Sequence, residues 1–240
     1  MIIKNSKILA TLCAFGMFAG FANAATVLYF DDFTTGTAGA LNGQALVTPT
    51  TSTWDAGNWQ KNTTTNRATN TSNSGSAMVP ISFSAGDIIQ VTARVANFTT
   101  GSSWVAMGFS NGSIASNGSG GRNWASWRGD DVLRVHSNNA TVAFNSDLSF
   151  NQAGESNFLD LRAIYDVDAG SISWLYKNPS SSSWTEFFLQ TSPQGGMTHV
   201  GFANTANNVA VDYFEVVNIP EPSTALLGGL GLLALLRRRR

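Results

Sequence analysis

The chain has 240 residues, of which 43% are hydrophobic and only 12% are charged. Ordinary soluble domains have about 25% charged residues, and a wholly disordered chain would be less apolar. Six of the 14 basic residues lie near the two ends, so the stretch between them has 8 basic and 15 acidic residues and a net charge of −7. This acidic middle argues against nucleic acid and anionic lipid as its partners.

Residues 1–24 have the pattern of a secretory signal peptide. Two lysines precede an apolar run over residues 8–21, and a small-x-small cleavage site ends at Ala24, directly before Ala25. The run is shorter than the ~20 apolar residues of a permanent membrane span. We therefore predict cleavage between Ala24 and Ala25 and delivery by the secretion machinery. The only cysteine, Cys13, lies in this run, so no disulfide is expected in the remainder.

The C-terminal segment has three parts: the tripeptide Pro220-Glu221-Pro222, an apolar run over residues 225–236, and four arginines. Because proline interrupts helices and sheets, the tripeptide is expected to be extended and accessible. As a helix, the apolar run would be about 18 Å long, which is shorter than the ~30 Å hydrocarbon core of a bilayer. The arginines are expected to stay on the cytoplasmic side and to stop transfer. They are Arg237, Arg238, Arg239 and Arg240.

This three-part end, residues 219–240, resembles the PEP-CTERM sorting signal of Gram-negative bacteria, with Ile219 in place of the usual valine. The resemblance implies that an exosortase in the inner membrane recognises the Pro-Glu-Pro motif and removes the tail. The protein would be anchored in the inner membrane only transiently. It would then pass to the cell surface or the extracellular matrix of a bacterium that makes exopolysaccharide. Other sorting systems likewise remove an apolar anchor from the mature protein.

Residues 25–218 show no helical period but many short alternating runs, for example over residues 89–95 and 159–167. Alternation with period two predicts strands that have one buried and one exposed face. We count eleven to thirteen runs separated by Gly, Asn and Ser turns, which predicts one all-β, antiparallel sandwich domain. Residues 62–76, of which twelve of 15 are Asn, Thr or Ser, are predicted to form an exposed loop. Helices are expected only in the signal peptide and the tail.

Several short motifs of this domain resemble the concanavalin-like, laminin-G-type sandwiches. They are FDDF at 30–33, LNGQ at 41–44, the run over 87–109, Tyr165-Asp166 before a tryptophan strand, and VDYF at 211–214. The resemblance implies an antiparallel jelly roll whose first and last strands pair. The two chain ends would therefore meet beside the sorting signal.

Two aspartates on the paired first and last strands, Asp32 and Asp212, are candidates for a structural calcium site. Calcium takes six to eight oxygen ligands, and carboxylates could provide some of them beside backbone carbonyls. The further support is the resemblance to calcium-stabilised jelly rolls. The alternative is that both aspartates form hydrogen bonds at strand ends. No other cofactor is expected.

Seven tryptophans lie in the domain, and the stretch Arg122-Asn123-Trp124 after two glycines is the most site-like. Sugar rings stack on indoles, and polar neighbours would bind the sugar hydroxyls, so these three residues are the candidate glycan-binding site. Trp124 and Trp127 are three positions apart, which places them on opposite faces of a strand. Most of the tryptophans are expected in the core.

No catalytic residues are expected. The domain lacks the Glu-x-Asp-x-x-Glu pattern of catalytic members of the concanavalin-like fold, and the adjacent pair Asp31-Asp32 should point to opposite faces of a strand. Neither His136 nor His199 has Ser and Asp residues nearby in an arrangement that resembles a catalytic triad. We therefore expect an exported, non-catalytic surface or matrix protein, with exopolysaccharide as the candidate ligand and with weak binding at most. The alternatives are a structural or adhesive matrix component without a ligand, and a polysaccharide-cleaving enzyme.

Overall fold

The computed structural model describes residues 24–70, 72, 74–98, 102–112, 121–138, 140–145, 158–205 and 207–220. These residues contain sixteen strands and no helix, which confirms the all-β prediction. The expected signal helix and the tail from Glu221 onward lie outside the described residues. Within the described part of the chain, no helix is long and apolar enough to span a membrane.

The strands are, in chain order, β1 (Thr26–Asp31), β2 (Gly39–Ala40), β3 (Asp55–Ala56), β4 (Trp59–Asn62), β5 (Arg67–Asn70), β6 (Gly75–Pro80), β7 (Asp87–Asn97), β8 (Trp104–Ser110), β9 (Gly121–Arg128), β10 (Leu133–Ser137), β11 (Ala140–Asn145), β12 (Phe158–Asp166), β13 (Ser171–Lys177), β14 (Thr185–Gln190), β15 (His199–Asn204) and β16 (Val209–Pro220). They form two antiparallel sheets. Sheet A has the order β14-β13-β12-β7-β16-β5-β4-β2, and β1 also pairs with β16. Sheet B has the order β11-β10-β9-β8-β15-β6-β3.

The hydrophobic core lies between the two sheets and is built by the alternation seen in the sequence. Every second residue of β7, from Ile89 to Val95, is fully buried there. Aromatic rings fill the centre, since Phe202 lies 4.7 Å from Trp59, 5.0 Å from Trp54 and 5.8 Å from Phe214 between ring centroids. Because such rings bury large apolar areas, they stabilise the contact between the sheets without a disulfide.

The first and last strands pair, as the sequence resemblance implied. Thr26 at the start of β1 lies opposite Asn218 near the end of β16, so the two ends of the domain meet. Strand β16 continues as far as Pro220, which lies opposite Asp87 of β7. The expectation that prolines keep the whole Pro-Glu-Pro motif out of regular structure is therefore wrong for Pro220. A proline is tolerated here because the strand ends with it and needs no further ladder hydrogen bond.

The prediction of an exposed loop over residues 62–76 is also wrong. This stretch contains β5 and the start of β6, and Ala68 and Asn70 of β5 are buried. Strand β5 lies between β4 and β16, where the small side chain of Ala68 packs against the core. Composition was a poor guide here because threonine, the most frequent residue of the stretch, is also a favourable strand residue.

Candidate functional site

A groove of about 580 Å³ lies on the outer face of sheet A. It is formed where β1 and the turn that follows it meet the middle of β16 and the turn between β4 and β5. Its walls carry two aromatic rings, three carboxylates, three hydroxyls and one amide. The lining residues are Phe30, Asp32, Thr34, Thr65, Asn66, Asp212, Tyr213 and Glu215.

A β-bulge in β16 places two consecutive side chains in this groove. Val211 lies opposite Val95 of β7, and Tyr213 lies opposite the very next residue, Arg94, so Asp212 is the extra residue. A bulge interrupts the alternation of a strand and re-aims its side chains. Asp212 and Tyr213 therefore both reach the outer face, while the strand continues with its core pattern on either side.

Asp31 and Asp32 point to opposite faces, as the sequence predicted. Asp31 is fully buried, whereas Asp32 lines the groove. One carboxylate oxygen of Asp32 accepts hydrogen bonds from the backbone N–H of Thr34 at 3.1 Å and from its hydroxyl at 2.7 Å. This local turn fixes the carboxylate at the edge of the groove.

The charge of Asp212 is balanced by two arginines. Arg67 Nε lies 3.2 Å from Asp212 Oδ1, and Arg94 Nη1 lies 3.8 Å from Asp212 Oδ2. Arg94 also donates two hydrogen bonds to Asp160, at 2.7 and 3.1 Å. Asp212 is thus a positioned hydrogen-bond acceptor whose negative charge is already paired.

Tyr213 contributes a ring and a phenolic hydroxyl that stays protonated. Its side chain is half-buried, and the Arg94 guanidinium lies 5.4 Å from the ring centroid. Burial raises the pKa of Tyr213 to about 12 because it disfavours the phenolate, and the charge of Asp160 acts in the same direction. The hydroxyl can therefore donate a hydrogen bond throughout the physiological pH range. Glu215 lies opposite Phe30 in the β1–β16 pair, and its carboxylate adds a hydrogen-bond acceptor to the groove.

The structure brings the two predicted calcium ligands, Asp32 and Asp212, to one groove, but their surroundings do not fit a calcium ion. In the described residues no three acidic, histidine or cysteine side chains cluster as a metal site. The guanidinium groups of Arg67 and Arg94 beside Asp212 also repel a cation. The two aspartates therefore act as hydrogen-bond acceptors in the groove, in line with the alternative to calcium binding given above.

Asn123, a candidate glycan-binding residue, is fully buried in the structure. Its Oδ1 accepts hydrogen bonds from Gln190 Nε2 at 2.8 Å and from the Gln194 backbone N–H at 2.9 Å. Its Nδ2 donates to the Gln194 carbonyl oxygen at 2.8 Å. These bonds tie β9 to the end of β14 and the loop after it, so Asn123 has a structural role and faces away from Trp124.

Trp124 lies on the outer face of sheet B but is covered there. Its exposed fraction is 2%, and its ring stacks on His136 at 3.9 Å and contacts Trp104 at 4.9 Å between centroids. Trp127 is buried in the core, which confirms that the two tryptophans occupy opposite faces. Arg122, Asn123 and Trp124 therefore do not form one surface on which a sugar could stack.

His136 has a serine neighbour that sequence analysis missed. Ser126 Oγ lies 3.2 Å from His136 Nε2, and Thr141 Oγ1 lies 3.4 Å from Nδ1. The residues come from paired strands, so their proximity is not visible in the order of the chain. Ser126 is 1% exposed, and the group has no carboxylate among the described residues to orient the ring. It does not have the geometry of an accessible nucleophile.

The sequence of β16 contains one signal for the groove. In β16 the apolar residues Val209 and Val211 are two apart, but the next apolar core residue is Phe214, three positions later. A spacing of three within an alternating strand indicates a bulge at the intervening pair. The other lining residues come from turns that only the fold brings together.

Comparisons with known proteins identify the C-terminal segment by sequence. A model of the PEP-CTERM protein-sorting motif matches residues 218–240. The chain carries a PEP-CTERM sorting signal. The signal marks the protein for export and for sorting while it is anchored in a membrane. No curated protein matches the chain in sequence.

Solved structures similar to the domain are lectins and a lectin-like protein. The exoplasmic domain of VIP36, solved with Ca²⁺ and Man3GlcNAc, has 12% identity and a TM-score of 0.52 over 71% of this chain and 85% of that one. Lectin II from Ulex europaeus has 12% identity and a TM-score of 0.53 over 73% and 96%. Arcelin-5 from Phaseolus vulgaris has 11% identity and a TM-score of 0.51 over 82% and 99%. At such identities the likeness shows the fold, a concanavalin-like β-sandwich.

Proposed function

We propose that this exported protein is a non-catalytic, carbohydrate-binding component of the cell surface or extracellular matrix, and that the groove beside Tyr213 binds exopolysaccharide. The groove itself carries the proposal. Phe30 and Tyr213 offer rings against which the C–H face of a sugar can pack. The carboxylates of Asp32 and Glu215 accept hydrogen bonds from sugar hydroxyls.

The fold supports this proposal, since VIP36 has the same sandwich and was solved with a bound oligosaccharide. The sorting signal supports the location. In this proposal an exosortase cleaves at the Pro-Glu-Pro motif and releases the domain from the inner membrane. The mature protein then meets the polysaccharide outside the cell.

The absence of catalysis is part of the proposal. Asp212 is paired with two arginines, and Asp32 is held in a local turn, so both are suited to binding rather than to proton transfer. Calcium is not part of the proposed site, because Arg67 and Arg94 already neutralise the carboxylate that would bind it.

The test is a glycan array probed with the full-length protein, followed by titration of the best-bound polysaccharide. Tyr213→Ala should weaken binding about tenfold, since ring stacking contributes on the order of 1 kcal/mol. Tyr213→Phe should retain part of the affinity. Tyr165→Phe is the matched control, because Tyr165 lies outside the groove and packs against Phe83 and Phe109. It should bind as the unchanged protein does.

Three outcomes would contradict the proposal. Absence of binding to every glycan would favour the structural matrix component without a ligand. Release of reducing ends from the bound polysaccharide would show an enzyme. Binding that is unaffected by Tyr213→Ala, or that is abolished by a calcium chelator, would place the site elsewhere.

A further inference from the structure

Beyond the groove, the outer face of sheet A extends across β7 and β12 toward a second aromatic residue. Glu215 of β16 lies opposite Thr92 of β7, and Thr92 lies opposite Arg162 of β12. Adjacent strands are about 4.8 Å apart, so Arg162 is roughly 10 Å from Glu215 across the sheet. Trp184 lies over Arg162, beyond this row. The face is therefore longer than a single sugar ring.

Arg162 is a cation without a carboxylate partner among the described residues. Its Nε donates a hydrogen bond to Thr92 Oγ1 at 3.2 Å, and no described carboxylate lies within 4.0 Å of its guanidinium. Arg67, Arg94 and Arg128, in contrast, each pair with an aspartate. Burial lowers the pKa of Arg162, although the charges of Glu215 and Asp160 act in the opposite direction. A carboxylate in direct contact with the guanidinium would stabilise its charged form further.

Trp184 is held in place at the end of the loop between β13 and β14. The Arg162 guanidinium carbon lies 3.9 Å from the ring centroid, and Lys177 Nζ lies 5.2 Å from it. Lys177 Nζ also donates a hydrogen bond to the Ser181 carbonyl oxygen at 3.1 Å, which fixes the loop. The indole is half-buried, so part of it faces solvent next to the guanidinium.

The charged residues around Arg162 leave its guanidinium group available to bind a ligand. Asp160, two residues before Arg162 on β12, is already paired with Arg94 at 2.7 Å and with Lys177 at 3.6 Å. Four of the eight basic residues between the two ends lie on this face, although that part of the chain has a net charge of −7. They are Arg67, Arg94, Arg162 and Lys177.

From these observations we propose that Arg162 and Trp184 form a second subsite, which binds a carboxylate-bearing sugar residue of the same polysaccharide that the groove holds. The inference rests on the proposed function of the groove. A guanidinium forms two parallel hydrogen bonds with a carboxylate, and the indole beside it packs against the sugar ring. A singly charged carboxylate suits the site better than a phosphate dianion, because Glu215 lies nearby and repels added negative charge. The polysaccharide is thus an acidic one that contains uronic acid.

The test compares acidic polysaccharides with their carboxyl-reduced forms, which differ only in that charge. The full-length protein is titrated with both members of each pair, and with a sulfated neutral polysaccharide. We expect the carboxylated member to bind about tenfold more tightly than its reduced form. A bidentate, charge-assisted pair between the Arg162 guanidinium and the sugar carboxylate accounts for a difference of this size. Arg162→Gln should abolish this preference, and Arg162→Lys should restore it only in part. Arg134→Gln, on sheet B, removes the same charge from an arginine that has no carboxylate partner in the described part of the chain, and it should leave the preference intact.

The outcomes separate this inference from the proposed function. If the protein binds polysaccharide through Tyr213 but does not distinguish a carboxylated chain from its reduced form, the second subsite is refuted and the groove stands. The same holds if the sulfated chain is preferred, or if Arg162→Gln and Arg134→Gln lower the preference equally. If no polysaccharide binds, both proposals fail together.

Discussion

The carboxylate of Asp31 and the ammonium group of Lys61 are both buried, with Lys61 Nζ 3.5 Å from Asp31 Oδ1. Trp54 Nε1 and the Phe33 N–H each donate a hydrogen bond to Asp31 at 2.8 Å. Burial raises the pKa of Asp31, while these donors and Lys61 act against the increase. The pair is therefore costly to form and more costly to break, because removing one partner leaves an uncompensated charge in the interior.

Lys61→Met should consequently lower the free energy of unfolding by about 3–5 kcal/mol. The double variant Asp31→Asn with Lys61→Met should regain part of this loss, since it buries no charge. Arg128→Met is the control, because its partner Asp130 is exposed and such a surface pair contributes about 1 kcal/mol or less. Urea denaturation measures all three. Equal losses for Lys61→Met and Arg128→Met would show that the buried pair is not important for stability.

His136 makes stability depend on pH. Burial lowers its pKa to about 4, and the charge of Arg134 acts in the same direction, whereas the unfolded chain binds the proton with a pKa near 6.5. Between these values the unfolded state holds more protons, so the stability present above pH 6.5 is lost as the pH falls toward 4. We expect a contribution of roughly 2 kcal/mol, after a discount for the part of the ring that water reaches.

His136→Asn should remove this part of the pH dependence, and His199→Asn should not. The measurement is urea denaturation at several pH values from 7 to 4. A slope that persists unchanged in His136→Asn would assign the dependence to other groups.

Strand β16 shows what an alternating pattern can and cannot predict. The resemblance to concanavalin-like sandwiches implied its pairing with β1, and alternation predicted its buried valines. The outward turn of both Asp212 and Tyr213, in contrast, depends on one extra residue. Deleting Asp212 should therefore leave Val211 and Phe214 in the core and restore simple alternation. Deleting Glu215 instead should move the side chains of Val216 and every later residue of the strand to the opposite face of the sheet, because a shift by one residue exchanges the two faces.

We expect the Asp212 deletion to fold with a stability within about 2 kcal/mol of the unchanged protein, and the Glu215 deletion to unfold. The Asp212 deletion should also lose glycan binding, since the groove loses an acceptor and the position of Tyr213 changes. Urea denaturation and the glycan titration together check both parts. A stable Glu215 deletion would mean that the register of β16 is not fixed by its core residues.

The sequence was informative about elements and less so about sites, for reasons that particular residues make clear. Ile89 to Val95 predicted a half-buried strand because burial alone sets their period. Asn123 was taken for a surface residue because its amide looks the same whether it meets a sugar or Gln190. The groove was missed because Asn66 and Tyr213 are 147 positions apart and meet only through the pairing of β5 with β16.

On the scale of the whole molecule, the first and last strands of the sandwich bring the two ends of the domain together. Thr26 lies opposite Asn218, and Asn218 Nδ2 donates a hydrogen bond to Asp87 Oδ1 at 2.7 Å just before the strand ends at Pro220. The predicted signal cleavage site and the sorting motif are thus adjacent. The groove lies farther along β16, at Asp212 and Tyr213, so a chain held by its C-terminus can present the groove away from the point of attachment.

The sorting motif begins where the sheet ends, and this makes its two prolines decisive. Pro220 is the last residue of β16, and only Glu221, Pro222, Ser223 and Thr224 separate it from the apolar run. Proline restricts the backbone and donates no hydrogen bond, so Pro220 is a poor residue from which to extend the sheet. We propose that the two prolines are needed for recognition of the motif by the exosortase. Replacing Pro220 and Pro222 with alanine should leave a full-length form in the membrane.

In the native bacterium, this form should appear in the membrane fraction, and the extracellular protein should be lost. Ser223→Ala, next to the motif, should be processed normally. Mass spectrometry of the extracellular protein identifies its C-terminus, which we expect to lack the apolar run. Moving four guanidinium groups through hydrocarbon is costly, so release without cleavage is unfavourable. An extracellular protein that retains Arg237 to Arg240 would therefore refute processing at the motif.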